Sequence, residues 1–407
     1  MTAALDPKLA AEALAAFEKH GNIQAAADSL KLHRATFTNR LQRARAISGK
    51  VEEPISLREK RRYEDSIASL RQQLIAAQRE ANEAEDLRST VFKLSEQPLN
   101  PPAWSQHSKR VGKSKPGIPV LFFSDAQWGE VIRKEELDGV NEFNLAIAAA
   151  RYRMLIDKTI ELATEHMVNP DYPGIYYLRG GDMVSGDIHQ ELRETNDAGS
   201  LLAVKDLVEN EITGIARLAA TFKRVHVISI PGNHGRQTIK PMSKRYAEAN
   251  YDTLSAWMLE MHFKAQGASN ITFDTPASGE KLFAIYRYNF LLTHGDRIGS
   301  RGGQGMIGPV ATITRGMKKL VDYYATLNHR IDYCLVGHFH TRSENEYGLS
   351  NGCLPGISEY SRDGRFRPRA PEQWFFFVHP AHGITARWPI SLAPRPELPS
   401  NPLESLK

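Results

Sequence analysis

The sequence predicts an α/β sandwich with a mixed sheet, preceded by a small all-α unit and a coiled-coil helix. From Val120 onward, short apolar strands alternate with amphipathic helices, and the last strands follow one another as hairpins. Residues 7–46 contain three short helical patterns. Residues 63–84 repeat apolar or small side chains at spacings that alternate between four and three.

The composition is that of a globular protein. Of the 407 residues, 41% are hydrophobic and 24% are charged, so a sizeable core is available. The first residues show no basic-then-apolar signal pattern, and no apolar run approaches the roughly 18 residues of a membrane helix. We therefore expect a cytoplasmic protein without a membrane partner. Cys334 and Cys353 provide no disulfide framework, and we expect both to be buried, reduced thiols.

Residues 1–50 predict a helix-turn-helix. The pattern PKLAAEALAAFEKH stops at Gly21, a residue that commonly ends helices, and Asn22 suits the N-cap of the next helix. A three-residue turn, KLH, leads into the basic pattern RATFTNRLQRARA. Residues 21–45 resemble the small helix-turn-helix units of Fis-type and resolvase-type DNA-binding proteins, whose last helix can lie in the major groove.

We expect this unit to bind DNA. Residues 1–50 hold eight Lys and Arg against four Asp and Glu, and residues 97–119 hold four bases and no acid. This concentration of positive charge indicates an anionic partner for the N-terminal third of the chain. The alternative is a three-helix unit whose basic face is merely solvated. The predicted groove-facing residues are Arg34, Thr36, Thr38, Asn39, Arg40 and Arg43.

Residues 51–96 predict a coiled-coil helix that would make the chain a homodimer. Its heptad seam holds for three repeats before it slips at Leu87. One long helix packed on the main domain is the alternative. Residues 97–117 are basic, rich in Pro and without periodicity, which predicts a linker. The seam residues are Tyr63, Ile67, Leu70, Leu74, Ala77, Ala81 and Ala84.

The main domain is predicted to span residues 118–395, followed by a tail at 396–407. Helices are expected at 142–167, 200–222, 243–265 and 309–327, where apolar residues recur with helical spacing. The expected strands, in chain order, are VLFFSD, GIYYLRGGD, VHVISIPGNH, ITFDT, KLFAIYRY, NFLLTHGD, DYCLVGHFH, QWFFFVH and GITARWPI.

Five polar clusters stand at the carboxyl ends of these strands, the edge at which open α/β sheets bind ligands. Together they supply carboxylate, amide and imidazole groups but no thiolate, a donor set that suits Mn, Fe, Mg or Zn in a hydrolytic site. The clusters are Asp125-Ala126-Gln127, Gly181-Asp182, Gly232-Asn233-His234, His294-Gly295-Asp296 and Gly337-His338-Phe339-His340.

The order D-x-Q, GD, GNH, H and GHxH resembles that of the calcineurin-like metallophosphoesterase superfamily over residues 118–390. The resemblance implies a four-layer α/β/β/α sandwich and two metal ions bridged by an acid and a water. It assigns the first ion to Asp125, Gln127 and His340. It makes Asp182 the residue that bridges both ions. It assigns the second ion to Asn233, His294 and His338. His234 matches the catalytic histidine of the family.

The chain departs from the family pattern at three positions. Gln127 replaces the usual histidine, and its neutral amide oxygen is a weaker ligand, which favours a hard ion such as Mn²⁺ or Mg²⁺. Ser185 stands where the GDxxD motif ends in Asp, although Asp187 and His189 follow. Gly235 stands where an acid commonly follows GNH. The last two changes concern the orientation of the catalytic histidine more than metal binding.

The predicted activity is that of a metal-dependent phosphodiesterase, with a DNA nuclease favoured, either exonuclease or endonuclease. The superfamily includes DNA-repair nucleases, and similar proteins are frequent in phages, so a bacterial or phage-infected host cytoplasm is expected. We expect two divalent ions, Mn²⁺ first, with Mg²⁺, Fe²⁺ and Zn²⁺ as alternatives. Two basic segments, residues 294–305 and 359–371, are candidates for contacts with a phosphate backbone. A phosphomonoesterase or nucleotide phosphodiesterase with a regulatory N-terminus, and an inactive DNA-binding protein, remain as alternatives.

Overall fold

The computed structural model describes residues 6–47, 65, 72, 101–106, 117–298 and 309–393. The chain divides into two compact units, residues 1–83 and 84–407. The predicted coiled-coil seam and the predicted tail lie outside the described residues, so both stay predictions.

The described part of the first unit consists of three helices, α1 (Pro7–His20), α2 (Ile23–Ser29) and α3 (Arg34–Ile47). Helix α1 ends at Gly21, whose φ of 62° lies in the left-handed region that glycine adopts at little cost. The side chain of Asn22 accepts hydrogen bonds from two backbone N–H groups of α2, as expected of an N-cap. Small alanines from α1 and α2 let Phe37 and Leu41 of α3 pack closely against both helices.

In the second unit, strands and helices alternate along the chain as predicted. The strands are β1 (Ile118–Phe123), β2 (Ile175–Arg179), β3 (Val225–Ser229), β4 (Ile271–Asp274), β5 (Glu280–Ile285), β6 (Tyr288–Thr293), β7 (Tyr333–Val336), β8 (Ser343–Asn345), β9 (Gly348–Ser350), β10 (Glu372–His379) and β11 (Gly383–Ser391). The helices are α4 (Leu145–Thr164), α5 (Gln190–Thr195), α6 (Ser200–Phe222), α7 (Tyr251–Ala265), α8 (Val310–Thr326) and α9 (Glu359–Asp363). None of the helices that the structure describes has the length and apolar content needed to cross a bilayer.

The strands form two mixed sheets. In the first, with the order β11-β10-β1-β2-β3-β4, strands β1 to β4 are parallel and β10 and β11 add an antiparallel hairpin. In the second, with the order β5-β6-β7-β9-β8, strands β6, β7 and β9 are parallel. Parallel neighbours end at the same edge of a sheet. The carboxyl ends of β1, β2 and β3 therefore meet in one sheet, and those of β6 and β7 meet in the other.

The two sheets pack face to face between two layers of helices. In β1, Val120 and Phe122 face the second sheet, whereas Leu121 and Phe123 face α4, α6 and α7. Helix α8 covers the outer face of the second sheet. This alternation along β1 follows from the two-residue period of a strand. The predicted four-layer α/β/β/α arrangement is confirmed.

Helix α7, two short helices and one hairpin differ from the prediction. Helix α7 begins at Tyr251 rather than near residue 243, because Arg245 adopts a left-handed φ of 58° that a helix does not accommodate. The short helices α5 and α9 and the hairpin β8–β9 were not predicted. Each is too short to show a clear hydrophobic period in the sequence.

Part of the predicted linker packs on the second unit. Residues 103–105 form a 3-10 helix, and the indole of Trp104 lies on the ring of Tyr176, with 5.5 Å between ring centroids. The carbonyl of Ser105 accepts a hydrogen bond from the backbone N–H of Tyr286 at 3.0 Å. Residues 101–106 are therefore attached to the sandwich.

A buried carboxyl group between β5 and α8 provides a test of this core. Glu280 accepts hydrogen bonds from the hydroxyls of Thr293 at 2.8 Å and Tyr324 at 3.0 Å. Burial raises the pKa of Glu280 above its ordinary 4.5, although both hydrogen bonds oppose the rise. The folded protein therefore binds the carboxyl proton of Glu280 more tightly than the unfolded chain does. The protonated carboxyl group of Glu280 contributes fully to stability below pH 4.5. This contribution falls as the pH rises through the pKa that Glu280 has in the folded protein.

We predict that Glu280→Gln removes this pH dependence. The variant should gain stability relative to the parent as the pH rises from about 4.5 to neutral, because it has no charge to bury. Urea unfolding at several pH values measures the difference in unfolding free energy. Glu209→Gln, at an exposed position paired with Lys205, is the control and should leave the difference constant. The prediction would be contradicted if the unfolding free energy of Glu280→Gln also differed from that of the parent by the same amount at every pH.

Candidate functional site

The five polar clusters lie together where the carboxyl ends of the strands meet. Ligand atoms of Asp182, His294 and His338 all lie within 4.8 Å of one another. On the other side, Nε2 of His340 lies 3.4 Å from Oδ1 of Asp125. The amide of Gln127 lies against the first group, because its Nε2 donates to Oδ2 of Asp182 at 3.2 Å. The structure thus brings side chains from both sheets to one place.

Backbone hydrogen bonds fix the loops that follow β1 and β2 against each other. The N–H of Asp125 donates to the carbonyl of Gly181 at 2.9 Å, and the N–H of Gln127 donates to the carbonyl of Asp182 at 3.0 Å. The loop after β3 approaches just as closely. A Cβ on Gly232 would lie 2.1 Å from the backbone nitrogen of Asp182, so no other residue fits there.

Five of the predicted ligand positions have a left-handed backbone, with φ between 45° and 68°, which costs a non-glycine residue about 1–3 kcal/mol. Such conformations persist where the surrounding structure determines them, and they cluster at functional sites. His338 and His340 follow β7 in this conformation, so the chain there is not extended. Their side chains separate, one towards Asp182 and the other towards Asp125. The five are Asp125, Gln127, Asp182, His338 and His340.

The carboxylate of Asp125 is fully buried and held at both oxygens. Its Oδ2 accepts from the hydroxyl of Ser124 at 2.6 Å, and its Oδ1 accepts from the backbone N–H of His338 at 2.8 Å. Behind it, Asn351 donates to the hydroxyl oxygen of Ser124 at 3.0 Å, and Gln373 accepts from the backbone N–H of Ser124 at 3.0 Å. Asn351 and Gln373 thus position Asp125, and the sequence did not predict them.

Asp182 and His294 form a buried, charged pair. Nδ1 of His294 donates to the carbonyl of Gly180 at 2.9 Å, which directs Nε2 towards Oδ2 of Asp182 at 3.0 Å. Burial by itself would raise the pKa of Asp182, but the nearby histidines, His294 first, hold it well below its ordinary range. Burial would likewise lower the pKa of His294, but Asp182 outweighs it and raises the pKa to about 10. The site therefore strongly favours a positive charge beside Asp182.

Three buried polar atoms at the predicted ligand positions have no aligned hydrogen-bond partner among the described residues. They are Oε1 of Gln127, Oδ1 of Asn233 and Nε2 of His294. Buried polar atoms are almost always paired, and leaving one unpaired costs about 1–3 kcal/mol. The two amide oxygens carry lone pairs that can bind a cation, and Nε2 of His294 offers one once it has released its proton. The residues present therefore fit a site for divalent metal ions.

His234 is held in a defined orientation at the edge of this site. Its backbone N–H donates to Oδ1 of Asp182 at 2.7 Å, and its Nδ1 lies 3.0 Å from the carbonyl oxygen of Ser185. A carbonyl only accepts, so Nδ1 carries the proton and Nε2 is left for a reacting group. The backbone carbonyl of Ser185 therefore orients the His234 ring. His189 is exposed, with its ring 5.6 Å from that of His234.

The acid expected at position 235 comes from a helix instead. A Cβ on Gly235 would lie 2.8 Å from Oδ1 of Asp252, so there is no room for a side chain. Asp252, in the first turn of α7, accepts from the backbone N–H groups of Gly232 at 2.8 Å, Met183 at 3.1 Å and Val184 at 3.3 Å. One buried carboxylate thus connects the loop that carries Asp182 with the loop that carries His234. Burial first, and then Asp182, raise its pKa to about 6.

Helix α3 presents most of the predicted DNA-facing residues to solvent. Its buried face consists of Phe37, Leu41 and Ala44, and Gln42 lies on the opposite face, one turn from Asn39. Gln42 is a polar, exposed residue that the prediction missed. Thr38 donates its hydroxyl to the carbonyl of Arg34 at 2.9 Å, within the helix. Arg34, Thr36, Asn39 and Arg43 are exposed, whereas Thr38 and Arg40 are half-buried.

The Gly-rich segment 294–305 lies outside the described residues from position 299 onward. Its first part packs on the loop that follows β3. The guanidinium of Arg297 lies 3.6 Å from the ring centroid of Tyr246 and donates to the carbonyl of Met242 at 3.0 Å. These contacts join the loops after β3 and β6 beside the site.

Comparison with known proteins identifies the N-terminal segment. Residues 10–51 match the family model of the PucR C-terminal helix-turn-helix domain. The predicted helix-turn-helix is confirmed. No curated protein matches the chain.

Two solved structures are similar to the chain at a low level. One is a dimetal phosphatase from Danio rerio, with 11% identity and a TM-score of 0.33 over 68% of this chain and 100% of that one. The other is the sulfate thiohydrolase SoxB of Thermus thermophilus in complex with glycerol, with 11% identity and a TM-score of 0.26 over 70% of this chain and 58% of that one. These likenesses are too distant to bear on activity.

We predict that Asp252→Ala destabilises the protein by about 3 kcal/mol or more, because three buried backbone N–H groups lose their acceptor. Asp252→Asn keeps one acceptor oxygen and should lose less. Urea denaturation measures both changes. Asp322→Ala, at an exposed ion pair with Lys318, is the control and should stay within about 0.5 kcal/mol of the parent. Equal stabilities for Asp252→Ala and this control would show that Asp252 does not hold the loops.

Proposed function

We propose that the chain is a metal-dependent phosphoesterase that cleaves DNA, as an exonuclease or an endonuclease. One observation carries the proposal. The buried carboxylates of Asp125 and Asp182 meet at one edge of the sandwich, beside two buried amide oxygens, of Gln127 and Asn233, that have no hydrogen-bond partner among the described residues. Buried carboxylates need positive charge nearby. Oxygen and nitrogen atoms beside them can coordinate a metal ion that supplies this charge.

In this proposal, Asp125, Gln127 and His340 hold a first divalent ion, and Asp182 lies between the first and a second. Two such ions, when bound, neutralise the charge of a phosphoester and lower the pKa of water. The donor set contains oxygen and imidazole nitrogen, and the neutral amide of Gln127 makes the first position weak. This favours a hard ion, Mn²⁺ first. The second ion is assigned to Asn233, His294 and His338.

His234 is the proposed catalytic residue of the chain. Because the carbonyl of Ser185 fixes the proton on Nδ1, Nε2 is the nitrogen available to the substrate. A proton on Nε2 would be donated to the leaving oxygen, or its charge would stabilise the extra negative charge of the transition state. The half-buried position of His234 leaves its ring within reach of a bound phosphoester.

Binding to DNA is supported by the N-terminal helix-turn-helix. Its last helix presents Arg34, Asn39, Gln42 and Arg43 to solvent, side chains that contact phosphates and base edges in the major groove. The loop after β3, which also carries His234, adds exposed Lys240, Lys244 and Arg245. We further propose that residues 51–96 pair two chains, so that two catalytic domains act on one DNA.

The proposal predicts metal-dependent cleavage of DNA. Metal-stripped protein would be incubated with labelled linear or covalently closed DNA, with Mn²⁺, Mg²⁺, Fe²⁺ or Zn²⁺ added separately. Loss of a residue that only hydrogen-bonds to a metal ligand usually lowers activity about 10–100-fold. His340→Ala and Asp182→Asn change proposed ligands themselves, so each should lower cleavage more than about 100-fold. Gln127→His should lower the metal concentration needed for half-maximal cleavage. His262→Ala, near the carboxyl end of α7, is the matched histidine control and should cleave normally.

The outcomes separate the competing functions. Cleavage of linear DNA alone identifies an exonuclease, and cleavage of closed circles identifies an endonuclease. Hydrolysis of p-nitrophenyl phosphate or a nucleotide, without any cleavage of DNA, would contradict the nuclease and favour a small-molecule phosphoesterase. Binding of DNA without hydrolysis of any phosphoester under any metal would contradict an enzyme.

A further inference from the structure

A surface segment between β9 and β10 has no part in the chemistry proposed above. This segment, residues 358–371, is called here the arginine lobe. It contains the short helix α9 and four arginines against two acids. Its exposed side chains include two aromatic rings. Large apolar side chains that lie close together on a surface can form a binding site.

The arginine lobe is an ordered structure. Ser358 and Ser361 form a capping box, in which each side chain accepts a hydrogen bond from the other residue's backbone N–H, at 3.4 Å and 2.9 Å. The N–H of Phe366 donates to the carbonyl of Ser361 at 2.9 Å. The ring of Phe366 lies over Gly364, where a Cβ would approach it to 2.8 Å. These contacts hold the backbone of the lobe and the ring of Phe366 in place.

The base of the arginine lobe is joined to the proposed metal site. The N–H of Leu354 donates to the carbonyl of Asp125 at 3.0 Å, and Arg151 donates to the carbonyl of Leu354 at 2.9 Å. At the start of α9, Glu359 accepts from the backbone N–H of Arg133 at 2.9 Å. Glu130 interacts electrostatically with both His340 and Glu359. The lobe therefore begins on the His340 side of the site.

The exposed surface of the arginine lobe combines rings and positive charge. Tyr360 is 79% exposed and Phe366 is 46% exposed, with 6.0 Å between their ring centroids. Arg365 and Arg367 are exposed and Arg369 is half-buried, and none of the three has an ion pair with an acid in the described part of the chain. Arg362 differs, because its guanidinium lies 3.3 Å from a carboxylate oxygen of Asp138.

We propose that the arginine lobe binds single-stranded nucleic acid and leads it to the metal site, a proposal that rests on the proposed nuclease function. Bases stack on Tyr360 and Phe366, and phosphates lie on Arg365, Arg367 and Arg369. Rings and arginines side by side are the combination that binds single strands without regard to sequence. In a duplex, the faces of the bases are covered by their neighbours, so the rings select an unpaired strand or a frayed end.

The test measures binding of the full chain to a labelled oligothymidylate of about 12 nucleotides, within the range of known single-strand sites. Fluorescence anisotropy in EDTA separates binding from cleavage. Tyr360→Ala/Phe366→Ala should weaken binding at least about tenfold. The salt dependence should stay unchanged, because no charge is lost. Tyr360→Phe, which keeps the ring, should bind like the parent.

The arginines give a different signature. Arg365→Ala/Arg367→Ala/Arg369→Ala should weaken binding and make the plot of log K against log salt shallower by about 2, since each phosphate contact contributes about 0.7 for a single strand. Arg330→Ala, an 84% exposed arginine before β7 at the opposite edge of the sheet, should leave the plot unchanged. Hydrolysis of bis(p-nitrophenyl) phosphate with Mn²⁺ should be the same in all these variants.

Ring variants that bind oligothymidylate like the parent would overturn the proposal. An equal loss of affinity for blunt duplex would also overturn it, because stacking on unpaired bases would then not be the cause. Binding of polyglutamate in place of oligothymidylate would overturn it in favour of an acidic protein partner. If the parent hydrolyses no phosphoester but the ring variants bind oligothymidylate more weakly than the parent, the proposed nuclease activity is contradicted. The proposed binding role of the arginine lobe is then still supported.

Discussion

The burial of two carboxylates at the junction of two sheets is the constraint on which the rest of the site depends. Asp125 and Asp182 are almost completely excluded from water, and isolated charges in such places are very costly. The protein surrounds them with donors: the hydroxyl of Ser124, backbone N–H groups and the imidazole of His294. These partners still leave lone pairs of Gln127 and Asn233 unmatched. Divalent cations would satisfy the carboxylates and the lone pairs together.

Tertiary contacts maintain this costly arrangement. Asp252 connects two loops through three backbone hydrogen bonds, and the carbonyl of Asp252 and the hydroxyl of Ser255 accept from Arg179 under the sheet. Arg179 is itself paired with Glu211 at 3.0 Å, with both side chains fully buried. Removing one partner of such a pair is strongly destabilising, because the other charge is left buried alone. Five ligand positions in this packed surrounding have a left-handed backbone. A strained, preorganised site of this kind loses little entropy when it binds ions.

Much of the fold could be predicted from the sequence, because nine of the eleven described strands are short runs rich in apolar residues, and five of these end in a polar cluster. Gly21 and Asn22 likewise indicated where helices of the first unit end and begin. The supporting residues could not be predicted. Asp252 accepts a hydrogen bond from the backbone of Met183, 69 residues away in the sequence, and Gln373 accepts one from the backbone of Ser124, 249 residues away. Such contacts leave no local pattern, and Gly235 gave no sign that a distant aspartate takes the place of its missing side chain.

The most direct test of the account is anomalous diffraction from crystals of the full chain grown with Mn²⁺. We predict two peaks about 3.5–4 Å apart. One should contact Asp125, Gln127 and His340, the other should contact Asn233, His294 and His338, and Asp182 should touch both. A single peak at the Asp182–His294–His338 group would show that Gln127 has abolished the first position. The absence of any peak among these residues would contradict a metal centre altogether.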